Sequence, residues 1–326
     1  MSPQLTRFLH VANGHSVTGT IKQAGIPGRR SIWGDPLHEG PVPDVGDDEL
    51  VEIRRQYLSS GVDVDPAIDL RVWRRTIAAL DYDELVLWYE YDLFDQLNLV
   101  HLLSWIRGSL PADVPVSLIC IDAFPGHPNF KGLGELTPAE LAPLIDTRQR
   151  VSADMYALAE RAWHAFRQPS PEPIDRLRRG DTRAMPFLAA ALERLLQDYP
   201  WTDDGLSRTE RQLLRIVAAD GPVVAFHAFL GLHEDADVYH VTDSALASLV
   251  GELSRTSPPL LSMDGDGSLR STIAITEAGR DVLARRRDRV ACGVDRWIGG
   301  VHLRLQNGNV GWRWNNDADR VELTTP

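Results

Sequence analysis

Glu84-Leu85-Val86-Leu87-Trp88-Tyr89-Glu90-Tyr91-Asp92 is the stretch on which the fold turns. Its apolar run from Leu85 to Trp88 does not alternate with polar residues, which suits a strand buried on both faces. Val114 to Asp122 reads the same way. Between them, Leu93 to Arg107 reads as an amphipathic helix. Upstream, Arg7 to Asn13 is a strand carrying Phe8, Leu9 and Val11. The turn Gly14-His15-Ser16 leads into a short helix, Ser16 to Ala24, which Gly25 to Gly28 break. Arg30 to Gly34 is a further strand, followed by a Pro- and Gly-rich loop, Asp35 to Gly46. Helical patterns cover Asp47 to Ser60 and Pro66 to Leu80. Strands alternating with helices imply an α/β domain with a parallel sheet and right-handed crossovers.

After residue 135 the pattern turns helical. Thr137-Pro138-Ala139-Glu140 is a capping box with a first-turn proline. Ser152 to Arg167 and Met185 to Tyr199 are helices, joined by a Pro/Arg-rich connector, Gln168 to Gly180. Ser207-Arg208-Thr209-Glu210 opens another helix, to Ala219. Helices at Val223 to Leu232 and Thr242 to Arg255, a hairpin from Leu260 to Ile275 and a helix from Thr276 make a winged-helix-like pattern. The tail is a β-hairpin region in which Val301 to Gln306 and Val310 to Asn315 flank Asn307-Gly308, a strong turn signal. Arg320 to Thr325 offers a third strand. The expected domains are therefore 1–135 (α/β, ligand-binding), 136–203 (helical connector) and 204–326 (winged-helix-like with a β-rich tail).

Composition narrows the function classes. A net charge of −12 over 326 residues repels a phosphate backbone unless cations cluster on one face, so nucleic acid is an unlikely partner. The third C-terminal helix, with Asp243 and Glu252 against Arg255, is a poor major-groove reader. Only two cysteines, Cys120 and Cys292, are present, too few for a zinc site built on thiolates. No apolar run is long enough for a membrane span, and Met1 to His10 has no signal-peptide pattern, so the cytoplasm is the expected location.

In an open parallel sheet ligands bind beyond the carboxyl ends of the strands. Polar residues gather there: Asn13, Gly14, His15 and Ser16; Asp35, His38 and Glu39; Glu90, Asp92, Asp95 and Gln96; Asp122 and His127. They either converge on one edge or are ordinary solvated loops and helix caps. Amides at Ser16, Val17 and Thr18 are suited to a phosphate; the alternative is a plain turn capped by Ser16. No glycine fingerprint, P-loop or Gly-x-Ser-x-Gly elbow is present. The acids Glu90, Asp92 and Asp95 raise one another's pKa, hold a cation, or cap the next helix. Near the C-terminus, Arg296-Trp297-Ile298-Gly299-Gly300-Val301-His302 and Trp312-Arg313-Trp314 either stack on a planar ligand or pack the sheet against a neighbouring domain.

Several of these stretches together resemble a bacterial family. They are His10-x-x-Asn13-Gly14-x-Ser16, Asp35-Pro36-Leu37-His38-Glu39-Gly40-Pro41, Trp88 to Leu97, Gly132-Leu133-Gly134-Glu135-Leu136, Gly205 to Glu210 and Arg296 to Leu303. The family is the domain of unknown function numbered eighteen thirty-five, and the resemblance implies no activity. His15 and Tyr91 depart from its pattern, where Asp and His are usual. That leaves Asn13, Ser16, Asp35, His38, Glu90, Asp92 and Asp95 as the stronger site candidates.

The expected function is binding of a polar small molecule of phosphorylated or nucleotide-like kind, with hydrolase or transferase chemistry. His38, Asp92 and Glu90 are the candidate catalytic residues. Asn13, Gly14, Ser16, Asp35, Asp95 and Gln96 are the candidate ligand-binding residues. No particular cofactor or metal is assigned, and the oligomeric state is left open. The alternative is a ligand-sensing regulator whose winged helix contacts protein or nucleic acid.

Overall fold

The structure is a computed structural model that describes residues 6–59, 70–234, 238–239, 241–305 and 311–324. The chain runs β1 (Phe8–Ala12), α1 (His15–Gln23), β2 (Arg29–Ile32), α2 (Asp47–Ser59), α3 (Leu70–Ala78), β3 (Glu84–Glu90), α4 (Leu93–Ser109) and β4 (Val116–Ile121). It continues through α5 (Pro138–Leu141), β5 (Gln149–Arg150), α6 (Ala153–Phe166), α7 (Glu172–Arg178) and α8 (Leu188–Leu196). One sheet has the order β2-β1-β3-β4-β5. Its first four strands are parallel, and β5, which the sequence reading lacks, pairs antiparallel with β4.

The run Leu85 to Trp88 divides between two cores, as period-2 side chains must. Leu85, Leu87 and Tyr89 join the core shared with α4, α6 and α8. Val86 and Trp88 join a smaller core with Val17 and Ile21 of α1 and with Leu133 and Leu141. Thus α1 leaves β1 toward one face and α4 leaves β3 toward the other. That divergence makes the β1/β3 boundary a topological switch point, the kind of place at which open α/β sheets bind ligands. His10 braces the sheet from within: its Nδ1 accepts from Trp88 Nε1 (3.1 Å) and its Nε2 lies 3.1 Å from the Pro27 carbonyl. Because the indole only donates, the proton sits on Nε2 and the imidazole is neutral.

Two expectations for this half are corrected. The helix α4 is not amphipathic: Leu93, Leu97, Val100 and Leu103 are buried, and so are Asp95, Gln96, Asn98 and His101 on its other sides. It is sandwiched between sheet and helices, so its polar side chains mark internal hydrogen bonds. The stretch Gln168 to Gly180 is no plain connector but carries α7, where Arg178 meets Asp175 and Asp319. The first part of the second helical pattern, 66–69, lies outside the described residues, and α3 begins at Leu70.

The C-terminal part comprises α9 (Arg208–Asp220), β6 (Val223–Val224), α10 (Ala225–Glu234), α11 (Asp243–Arg255), β7 (Leu261–Asp264), β8 (Thr272–Ile275) and α12 (Glu277–Leu283). Val223-Val224 forms a short strand rather than a helix start, giving a sheet of order β6-β8-β7. The tail holds β9 (Val294–Ile298), β10 (Val301–Leu305), β11 (Gly311–Asn315) and β12 (Arg320–Thr324). The expected hairpin about Asn307-Gly308 is corrected. That turn lies outside the described residues, and its flanking strands pair elsewhere, β10 with β9 and β11 with β12. The β9–β10 turn is Gly299-Gly300, wedged against the end of α6. A Cβ on Gly300 would stand 1.9 Å from the Arg167 carbonyl oxygen. The same turn accepts from Val42 N (2.9 Å), so the tail holds the Asp35–Gly46 loop.

A single apolar core runs from Leu9 to Val321 and joins all three expected domains. No helix of the described residues is long and apolar enough to cross a membrane.

Candidate functional site

At the switch point the exits of β1 and β3 are stitched together by carboxylates. Asn13 Nδ2 donates to Asp95 Oδ1 (2.8 Å), and Glu90 N donates to Asp95 Oδ2 (2.6 Å). Asp92 caps α4, accepting from Asp95 N (2.8 Å). The capping reading is therefore realised for Asp92, a local consequence of an acid placed three residues before a free first-turn amide. Asp95 is fully buried, and Glu90 and Asp92 nearly so.

Burial of three acids so close together opposes their ionisation. Glu90 is pushed up to about 8, first by burial and then by Asp92, against the pull of the Leu133 amide. Asp92 is pushed up to about 6 by burial, with the Asp95 amide and the His38 charge acting the other way. Asp95 is raised well above the carboxylate range by burial, then by Glu90 and Asp92. Like charges this close do not all ionise, so the cluster retains protons near neutral pH. Each carboxyl faces hydrogen-bond donors rather than a common centre. Among the described residues no three His, Cys, Asp or Glu side chains form a group that could hold a metal ion.

Over this cluster folds Gly132-Leu133-Gly134, which sequence reasoning did not place in the site. Leu133 N donates to Glu90 Oε1 (2.6 Å). A Cβ on Gly132 would lie 2.0 Å from Glu90 Oε2, and one on Gly134 would lie 3.2 Å from Ser16 Oγ. The glycine pair is thus what lets the loop close on the acid, and the Gly-x-Gly spacing was its one signal in the sequence. Gly132→Ala is expected to destabilise the protein by about 1–3 kcal/mol through overpacking. A urea midpoint within experimental error of the parent's would show that the loop does not rest on Glu90.

The helix α1 begins at His15, with Gly14 as its N-cap and no side-chain capping bond. The Ser16-capped turn is therefore not what forms. Thr18 N bonds Gly14 O (3.3 Å), which removes it from the expected anion-binding amides. Ser16 is exposed in the first turn of α1, as is His15.

Two candidates serve the frame. The Asp35 carboxylate is fully buried against Arg54, which donates Nη2 to Oδ1 (2.6 Å) and Nε to Oδ2 (3.0 Å). Arg54 also holds the carbonyls of Glu39 (2.7 Å) and Pro36 (3.1 Å), so this ion pair ties down the loop. Asn98 of α4 brackets the Asp35 backbone, accepting from its N and donating to its O (both 2.9 Å). Gln96 donates to Glu90 O (2.7 Å) and stands 3.5 Å from Cys120 Sγ. Gln96 and Cys120 border an apolar hollow of about 320 Å³ with Met155, Met185 and Phe187. Arg54 could have been suspected because it shares the buried stripe of α2 with Leu50, Val51 and Leu58.

His38 stands apart from the carboxyl chain. Its ring meets Phe94 (5.9 Å) and Tyr239 (5.0 Å) edge-on, and Asp92 feels its charge. Leu93 N donates to Val238 O (2.7 Å), so the 238–239 segment of the C-terminal part covers the start of α4. Glu39 Oε1 is 3.2 Å from His38 Nε2, and His38 Nδ1 is buried with no hydrogen-bond partner. His38 lines a cavity of about 400 Å³ whose wall includes none of Asn13, Ser16, Glu90, Asp92 or Asp95. The strand-four candidates also lie off the cluster: Asp122 is exposed, and His127 pairs with Glu140 (3.1 Å) of α5.

The Arg and Trp residues of the tail pack inward. Arg296 bonds Glu210 (2.5 Å) and Glu252 (3.0 Å), and Arg289 joins the same two acids. Burial opposes the Glu210 charge, but Arg296 and Arg289 outweigh it and hold the carboxyl down at about 2. No protein-family model matches this chain, and no curated protein matches it either.

Proposed function

We propose that the β1/β3 switch point binds a polar, phosphorylated or nucleotide-like small molecule, and that the protein is an enzyme of the hydrolase or transferase class. The observation that carries this reading is the buried chain Asn13–Asp95–Glu90 across the switch point. A carboxyl kept protonated near neutral pH by burial is a proton donor of the kind general acid catalysis employs. Glu90 has that character. The first turn of α1, which no side chain caps, opens at the same edge and offers amides and the positive end of a helix dipole to an anionic group. Ser16 would add a hydroxyl, whereas His38, which lines a separate cavity, takes no part. The resemblance to the family numbered eighteen thirty-five is consistent with this reading but adds no chemistry to it.

A thermal-shift panel of phosphorylated metabolites and nucleotides, with and without Mg²⁺, tests the proposal. At least one ligand should raise the unfolding midpoint of the parent. Ser16→Asp, which sets a negative charge on an exposed position at the helix start, should largely abolish that rise. If nothing in the panel shifts the parent, the switch point is not such a site.

The second reading is a regulator. The order helix, strand, two helices, two strands and helix from α9 to α12 supports a winged-helix description of 204–284. In that description α11 is the recognition helix. However, α11 turns Ala245, Leu249 and Glu252 toward a cavity within its own chain. Glu252 is also held by Arg289 and Arg296. Both observations favour contact with its own chain over insertion into a nucleic-acid groove.

A further inference from the structure

The cavity of about 400 Å³ beside His38 is built from the 38–40 turn, Tyr239, α11 and β9. We propose that it is a second binding site, for a small organic carboxylate with an apolar or aromatic body.

The argument begins with which polar atoms on its wall already have partners. Asp198 is paired with Arg194 (3.0 Å) and accepts from Thr209 Oγ1 (2.8 Å). Glu252 is held by Arg289 and Arg296, and Asp295 by His302 (2.7 Å). Glu39 lies against the His38 ring. The unmet groups are of the other kind. Arg296 Nε is buried without an acceptor. His38, its side chain 5% exposed, meets Glu39 Oε1 at Nε2 (3.2 Å) but has no hydrogen-bond partner at Nδ1. Arg255, solvent-exposed, adds a second guanidinium to the same wall. Buried donors left unpaired are rarer and more costly than under-filled oxygens. The wall therefore lacks an acceptor, and beside two guanidinium groups the fitting acceptor is an anion.

Charge and shape then narrow the class. The wall carries Glu39, Asp198, Glu252 and Asp295 against Arg255 and Arg296. That acidic balance disfavours a dianion such as phosphate, so a single carboxylate is the better match. The remaining lining is apolar or aromatic, with Val241, Leu249 and Ile298 beside Trp297 and Tyr239. The volume falls in the range of small-molecule pockets. Both walls are stiff before any ligand arrives. Arg54 pins the turn on one side, and Glu210 with Arg289 and Arg296 pins β9 to α9 and α11 on the other. A ligand here would bridge the α/β sheet and the α11 region.

The test is calorimetric titration of the full chain with benzoate, phenylacetate and hexanoate. Each is set against its neutral amide and its amine, with inorganic phosphate alongside. At least one carboxylate should bind with a Kd below about 1 mM, and its amide about tenfold or more weakly. Arg255→Gln should weaken that carboxylate about tenfold, as loss of one charge-assisted contact does. Leu249→Trp, which fills the cavity, should abolish binding. Ser248→Trp, from the exposed side of α11, serves the same purpose should Leu249→Trp fail to fold. Four results overturn the proposal. They are no binding by any carboxylate, equal binding by amide or amine, equal binding by phosphate, or binding that survives a folded cavity-filling variant. Any nucleotide-dependent shift from the β1/β3 switch point should persist in Leu249→Trp, so the two sites fail separately.

Discussion

Arg54→Ala should lower the folding stability by about 3–5 kcal/mol, the range seen when one partner of a buried ion pair is removed. The pair is fully enclosed, with Arg54 and Asp35 both at 0% side-chain exposure. Removing the guanidinium leaves the Asp35 carboxylate buried without a counter-ion. It also strips donors from the carbonyls of Pro36 and Glu39, which shape the loop bearing His38. The loss should exceed that of the double variant Asp35→Asn/Arg54→Met, which leaves no charge behind. Urea unfolding monitored by tryptophan fluorescence reads both. A single variant within about 1 kcal/mol of the parent would mean that the loop is held by Gly299 and Arg167 instead, through the Val42 amide and the Pro43 carbonyl.

Glu90→Gln should flatten the dependence of stability on pH between about 4.5 and 8, the interval over which the folded carboxyl keeps a proton that the unfolded chain has lost. The folded value, about 8, lies above the ordinary 4.5. Between those values the folded state binds more protons than the unfolded chain, so this group's contribution falls as pH rises and is fully lost above about 8. The slope is roughly −1.4 kcal/mol per pH unit for one retained proton, and the whole effect is on the order of 2–5 kcal/mol. Asp92, raised to about 6, has the same sign at lower pH. Buried His10 and His101 act oppositely below 6.5, because burial lowers their pKa and the unfolded chain then binds more protons. The informative quantity is therefore the difference between parent and variant. Glutamine can still accept from the Leu133 amide, so the variant should match the parent near pH 4.5, exceed it by about 2 kcal/mol near pH 6 and exceed it by the full effect above about pH 8. Parallel curves across that interval would place the retained proton elsewhere.

These two expectations show how differently the candidate residues were legible. Glu90, Asp92, Asp95 and Asn13 could be found because they stand where buried strands end. A strand exit is a place the sequence marks by a sharp change from apolar to polar. Asp35 carried the same mark, yet its carboxylate is used up by Arg54, a residue 19 positions on whose place in the apolar stripe of α2 was its one signal. His38 was grouped with the acids for the same reason, but the chain beyond Pro36 carries it to a different wall.

By itself the sequence determined the α/β half, the helical middle and the β-rich character of the tail, because burial on two faces, capping boxes and turn glycines are local rules. Thr137, Ser207 and Thr242 cap their helices as their side chains dictate. Tertiary structure alone decided which strand pairs with which in the tail. Asn307-Gly308 is a good turn, but Gly299-Gly300 fits the gap at the end of α6, and strand partners are chosen by the whole surface against which they pack. It also decided that Asn13 meets the acids of the β3 exit, since the distance between the exits of β1 and β3 is fixed by sheet order and not by the 82 positions between Asn13 and Asp95.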